Sequence, residues 1–283
     1  MSRRDLLRVS TSDYTRVSEE MKGFQAGWLK NPDGTQGKRW FLVTCGIGCA
    51  CSPGCDGCPA NKLAQEGKAK PVRCLTEHLL DPFGWGTPQT IFVCPEGDPL
   101  HKDVPDEFLY QIFAVMESCP HHRFVFLTKR DERLVELLTD VRFPTRVREA
   151  GIALLGERYQ DRGCKWGDNV VIGVSVENQK YMKRSLILTR LPKTMTKVIF
   201  VAPMLEPVSL LKEVIPSTDW VVCSGERGST LCKPRPCKKE WQLDLRNQCR
   251  EAKIPFFLLR RYHPSWVAEF GGKCMEFPTL LQA

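Results

Sequence analysis

Five of the chain's 14 cysteines fall close together: Cys45, Cys49, Cys51, Cys55 and Cys58, in the stretch TCGIGCACSPGCDGC. Thiolates are the ligands that both structural zinc and iron–sulfur clusters take. Zinc usually draws on two separated cysteine pairs. Here one CxxC is present, Cys55 with Cys58, and no second pair follows at finger spacing. The alternative is C-x3-C-x2-C, formed by Cys51, Cys55 and Cys58. Three close cysteines can bind three irons of a [4Fe–4S] cube and leave the fourth iron open. An open, electron-donating iron is what S-adenosylmethionine chemistry needs. The methionine amino and carboxylate groups chelate it, one electron passes to the sulfonium, and the C5′–S bond breaks to give a 5′-deoxyadenosyl radical. The cofactor supplies the reactivity and the protein the positioning. Spacing favours Cys51 as first ligand; Cys49 is the alternative, which would make the pattern C-x5-C-x2-C.

The other cysteines are scattered: Cys74, Cys94, Cys119, Cys164, Cys223, Cys232, Cys237, Cys249 and Cys274. Most isolated cysteines are small buried hydrophobes, and Cys119 and Cys249 lie on helical patterns. The N-terminus carries charge but no apolar signal-type core, and no apolar run approaches the ~18 residues that span a bilayer. The expectation is a cytoplasmic chain with reduced thiols, not a disulfide framework.

The elements that would position these groups alternate between apolar runs and amphipathic stretches. Strands are expected at Trp40–Thr44, Thr90–Cys94, Phe124–Thr128, Val170–Val176, Val198–Ala202, Trp220–Cys223 and Pro255–Leu259. Continuous runs such as VVIGVSV read as strands buried on both faces. Helices are expected at Asp106–Cys119, at Asp131–Leu138 with Asp131 as N-cap, and at Lys238–Ala252, while Thr145–Asp168 interrupts the rhythm with a helix and a loop. Such alternation predicts a parallel sheet with right-handed crossovers, here an α/β fold: a partial (βα)6 TIM-like barrel plus a last strand. The barrel is assigned to residues 39–261, an N-terminal arm to 1–38 and a C-terminal cap to 262–283. In parallel barrels the chemistry sits beyond the C-terminal ends of the strands. The cysteine loop follows the first strand directly.

The C-x3-C-x2-C spacing in that position resembles the signature of the radical-SAM superfamily. Residues 40 to 261 also resemble an uncharacterised phage-associated and bacterial family of three-Cys-motif proteins. The likeness is carried by Ser52-Pro53-Gly54-Cys55-Asp56-Gly57-Cys58 and, in order, by IFVCPEGDPLHKDVPDEF, FVFLTKRDER, VIGVSVENQ, DWVVCSGERG and RNQCREAKIPFF. It implies a radical-SAM fold with a [4Fe–4S] cluster and S-adenosylmethionine. Where that family tends to carry a Glu before the Pro that follows the fifth strand, this chain has Ala202. Cys94 and Cys237 stand where the family mostly has other residues.

Polar residues just past the strands are the candidates for holding cofactor and substrate. Glu96 or Asp98 would accept the methionine amino group. Lys129 or Arg130 would meet its carboxylate or a substrate phosphate. Ser175 and Glu177 share a face by period two and would bond ribose hydroxyls. Glu226 would serve substrate or adenosine. The candidates for catalysis are Glu226, Lys129 and Cys94. Cys223, Cys232, Cys237 and Cys249 are either an auxiliary cluster or unligated thiols. Lys plus Arg is 41 against 33 for Asp plus Glu, so the net charge is 41 − 33 = +8. Arg227, Lys233, Arg235, Lys238, Lys239, Arg260 and Arg261 would form a phosphate-facing rim. The expected function is a radical-SAM enzyme that rearranges or modifies a nucleic-acid base, such as a hypermodified thymine in phage DNA, by isomerase-type chemistry in the host cytoplasm. A duplex base would have to be flipped out. The partners are then DNA, and an electron donor of flavodoxin or ferredoxin type, with no membrane. The alternatives are a zinc- or cluster-stabilised nucleic-acid-binding protein without catalysis, or a radical-SAM enzyme acting on a peptide or small metabolite.

Overall fold

Seven segments form strands in the computed structural model, which describes residues 27–46, 49–58, 61–62, 65–67, 71–164, 169–226, 228, 232–259 and 275–277. They are β1 (Lys38–Trp40), β2 (Thr90–Val93), β3 (Arg123–Thr128), β4 (Val170–Val176), β5 (Thr196–Val201), β6 (Trp220–Cys223) and β7 (Phe256–Leu258). All pair in parallel and lie side by side in chain order. A sheet wound this way never reverses direction, so it curls, and the seven strands make a half-barrel with helices. The helices are α1 (Asp106–Ser118), α2 (Asp131–Thr139), α3 (Phe143–Leu155) and α4 (Lys239–Glu251). A run of 3₁₀ turns over Gln179–Thr189 lies between β4 and β5.

Period-two alternation splits the core into two layers. Phe124, Phe126, Ile172, Val174, Val176 and Val221 face outward and pack with Leu109, Ile112 and Phe113 of α1 and Leu245 of α4. Val125, Leu127, Val171, Val198, Phe200, Trp220, Val222 and Phe257 face inward and form the floor of the half-barrel. Gly173 belongs to the inward row. A Cβ there would lie 2.3 Å from Val198 Cγ1 and 2.4 Å from Val198 O. The backbone oxygen is fixed by the sheet, so Gly173→Ala is expected to destabilise by about 1–3 kcal/mol. Urea denaturation tests this; an unmoved midpoint would show that the sheet can spread.

Two expectations need correction. The first strand begins at Lys38 and ends at Trp40, because the chain past Trp40 turns away to pair with residues 73–75. Leu75 N donates to Leu42 O at 2.8 Å, Thr44 N donates to Arg73 O at 3.0 Å, and Val43 bridges Cys74. Asp131 lies inside the first turn of α2, not at its cap; the residue at the cap is Arg130, with no side-chain bond to the helix.

Residues 27–37, the described part of the arm, join the core. Its turn is closed by a Lys30–Gln36 bridge, with Gly34 at φ 83° and Asp33 accepting from the Thr35 amide and hydroxyl. Asn31 ties it to β2 by accepting from Thr90 N at 2.7 Å. This sets Trp28 edge-on against Phe92, Phe200 and Trp220, with ring centres 5.1, 5.0 and 6.3 Å away. Phe277 stacks near Trp220 and Phe257 from the C-terminal side. Residues 262–274 and 278–283 of the expected cap, with Trp266, Phe270 and Cys274, lie outside the described residues, as do Arg227, Arg260 and Arg261. Among the described residues no helix is long and apolar enough to cross a membrane.

Candidate functional site

The five-cysteine loop rises from the end of β1 and crosses the C-terminal rim of the sheet. Its second half is wound: Pro53–Cys55 is a 3₁₀ turn, Cys55 N donates to Ser52 O at 2.8 Å, and Cys58 N donates to Cys55 O at 3.0 Å. The thiols fall into two groups. Cys51 Sγ is 4.0 Å from Cys55 Sγ, while the Cys45 thiol hydrogen-bonds those of Cys49 and Cys58. Of the two thiols in the closer pair, Cys55 is the one whose pKa is lowered. The hydrogen bond from Cys51 pulls its pKa well below the ordinary value against the effect of burial, and Lys129 helps. The same bond pushes Cys51 up. Cys49 is lowered in turn by its bond from Cys45.

The Ser52–Cys55 limb stands on a buried charge network. Glu177, fully buried beyond the end of β4, points inward in register with Ser175. Its Oε1 accepts from Ser52 Oγ at 2.6 Å and pairs with Lys129 Nζ at 2.5 Å. Its Oε2 accepts from Arg184 Nη1 at 2.9 Å. Lys129, just past β3, also reaches Cys55 Sγ at 3.8 Å. Burial opposes the charge on Lys129, but Glu177 and then Cys55 outweigh it and raise its pKa. Gly54 lies flat on this network: a Cβ there would come within 2.7 Å of Glu177 Oε1 and 2.8 Å of Lys129 Nζ. That contact gives the Ser-Pro-Gly-Cys turn a physical reason for its glycine.

The Asp56–Cys58 limb stands on a second carboxylate. Glu226, beyond β6, accepts from Arg235 N and Nε at 2.8 Å each, and from Arg235 Nη2. Burial works against its charge, yet Arg235 lowers its pKa. A Cβ on Gly57 would fall 2.0 Å from Glu226 Oε1. Arg235 is therefore not a free rim cation. Lys233 and Lys238 of the expected rim are exposed, and Lys239 is half-buried at the start of α4.

Asp98 sits across the rim and is heavily bonded. It accepts from Thr128 Oγ1 at 2.8 Å, Lys129 N at 3.0 Å and Leu100 N at 2.9 Å, and pairs with Arg130 Nη1 at 2.8 Å. Gly97 brings this turn against the segment that leads into the cysteine loop, where a Cβ would meet Val43 O at 2.4 Å. Glu96 is half-buried in the same turn. Cys94 is buried in the outer layer, with φ 51°, and burial raises its pKa.

Of the expected auxiliary group, three cysteines belong to the outer apolar layer. Cys223 and Cys249 lie in the outer apolar core, with Cys237 packed against it. Cys223 Sγ contacts Met204 Sδ at 3.7 Å. Burial raises the pKa of Cys249 to about 12 and of Cys237 to about 11. Cys232 is buried as well. Reasoning from sequence missed Arg184 and Ser52. Arg184 is a buried cation, stacked 4.3 Å from the Tyr181 ring centre, on a run whose Met182, Ser185, Ile187 and Leu188 are also buried. A lone Arg inside that otherwise buried row was the available signal.

The donor set is compatible with an iron–sulfur cluster. The loop offers five thiols, and Lys129 Nζ lies 3.8 Å from the Cys55 sulfur, where its charge favours the thiolate form a cluster needs. Among the described residues no three His, Cys, Asp or Glu side chains gather on one point as a single ion requires. A four-iron cube takes one thiolate per iron, so its ligands need not converge that way. Residues 42–276 match a family described as a protein of unknown function (DUF5131). No curated protein and no solved structure matches the chain.

Proposed function

The chain belongs to the DUF5131 family, and from that starting point we propose that it is a radical-SAM enzyme whose cluster is held by Cys51, Cys55 and Cys58, with Cys49 as the alternative first ligand. The observation that carries the reading is the placement of a five-thiol loop on the C-terminal rim of a parallel half-barrel, with supports at the ends of β3, β4 and β6. When bound, the cluster and S-adenosylmethionine supply one-electron cleavage of the sulfonium and a carbon radical able to take hydrogen from an unactivated C–H position.

The chain's own groups divide the remaining work. Lys129 and Glu177 keep the Ser52–Cys55 limb at fixed height over the floor. Asp98 fixes Arg130 and the backbone of Lys129 beside it. The inward aromatic floor of Phe92, Phe200 and Trp220 closes the site from below and excludes water. The substrate in this reading is a nucleic-acid base. The net charge of +8 and the exposed Lys233 and Lys238 beyond the strand ends favour a phosphate-bearing partner. A flavodoxin- or ferredoxin-type donor would deliver the electron.

Anaerobic reconstitution with iron and sulfide tests the proposal. The expected result is a brown protein with about four irons per chain that cleaves S-adenosylmethionine to 5′-deoxyadenosine and methionine. A colourless, zinc-loaded protein that binds DNA without such cleavage would overturn it in favour of a non-catalytic binding module. Deuterium passing from a labelled thymine-derived position into 5′-deoxyadenosine would identify the substrate; DNA binding without transfer would leave DNA as a surface partner.

A further inference from the structure

Two glycines of the thiol loop rest on carboxylates from different strands, and the two rests are held differently. Glu177, under Gly54, is gripped from within the barrel by Lys129 and Arg184. Glu226, under Gly57, is gripped by Arg235, which arrives from the segment after β6. The Arg235 guanidinium meets both Glu226 oxygens, and its own backbone N–H adds a third bond. Its Nη1 lies 3.8 Å from Asp56 Oδ2 on the thiol loop. A planar fork bound at two points fixes orientation as well as distance. The Glu226 side chain is only 5% exposed while that of Arg235 is 36% exposed, so the carboxylate is shielded and the guanidinium is partly in water. The same segment is anchored by buried Cys232 and by Pro234, whose Cδ would stand 2.7 Å from a Cβ on Gly228.

We infer that Glu226 and Arg235 form a latch that positions the Asp56–Cys58 limb, separately from the Glu177 support under the Ser52–Cys55 limb. Both are positioning residues: they act on Cys58 through Asp56 and Gly57. Because one side chain holds the loop and the 232–238 segment together, opening the latch frees both at once. The two limbs are then independently adjustable, with Cys58 answering to β6 and Cys55 to β3 and β4. The consequence for metal binding rests on the functional reading above; the latch itself does not.

Hydrogen exchange of the reduced, metal-free full chain tests it. The reporting amides are Cys55 N, bonded to Ser52 O, and Cys58 N and Lys62 N, bonded to Cys55 O and Cys58 O. Arg235→Met is expected to speed exchange at Cys58 and Lys62 by about ten- to hundred-fold, with Cys55 unchanged. Glu177→Gln is expected to act chiefly on Cys55. Arg235→Lys, which keeps a charge on Glu226, should recover most of the protection, and on reconstitution should hold more iron per chain than Arg235→Met. Should Arg235→Met not fold, Glu226→Gln supplies the same comparison. Unchanged exchange at Cys58 and Lys62, or an equal rise at all three amides, would overturn the latch. A wild-type chain that takes up no iron would sink the cluster reading alone, since the exchange contrast is read without metal.

Discussion

Cys55→Ala and Cys58→Ala are each expected to abolish the brown chromophore of the reconstituted protein, because each removes a thiolate from one iron. Cys51→Ala should do the same, and Cys45→Ala should not. The structure makes this a sharp comparison, since Cys45 hydrogen-bonds Cys49 and Cys58 while Cys51 pairs with Cys55. Visible absorbance and iron per chain are the measurements. Loss in Cys49→Ala with retention in Cys51→Ala would move the register to C-x5-C-x2-C. Retention in both Cys55→Ala and Cys58→Ala would remove the loop as a cluster site.

Glu177→Ala should be the costliest single change to stability outside the thiols. It strands two cations, Lys129 at 19% side-chain exposure and Arg184 at 6%. Breaking a buried pair by removing one partner typically costs about 3–5 kcal/mol, because the other charge is left without compensation. Urea denaturation should show a loss of that size. Glu177→Gln keeps one acceptor oxygen, enough for Arg184 or Ser52 but not both, and should lose less. A loss under about 1 kcal/mol in Glu177→Ala would mean that both cations swing out to water, as surface ions do.

The sheet was largely legible because strands buried on both faces leave continuous apolar runs. Val170–Val176 and Trp220–Cys223 match the structure at both ends. The first strand misled for a specific reason: Leu42 and Val43 are as apolar as strand residues but bond to the 73–75 segment. Period two correctly set Glu177 on the inner face, yet its partners Ser52 and Arg184 come from other elements, and no local pattern encodes them. Arg235 read as one more cation in a basic stretch; only the fold brings Glu226 to it. Trp28 was invisible for the opposite reason. It is one of three aromatics in a polar arm, with Tyr14 and Phe24, and no periodicity marks it; its neighbours are supplied by strands far along the chain.

That distance has a consequence during synthesis. Trp28 leaves the ribosome early, but its seat against Phe200 and Trp220 exists only after about 190 more residues have been made. Contacts of such long sequence separation form late and slow folding. Until β6 emerges, the inner surface of the growing sheet has no lid, and it presents Phe92 and then Phe200 to the cell. Nascent chains are most prone to associate while such surface is uncovered. The half-barrel is therefore vulnerable until β6 is made, although the residue that seals it precedes every one of its strands in the chain.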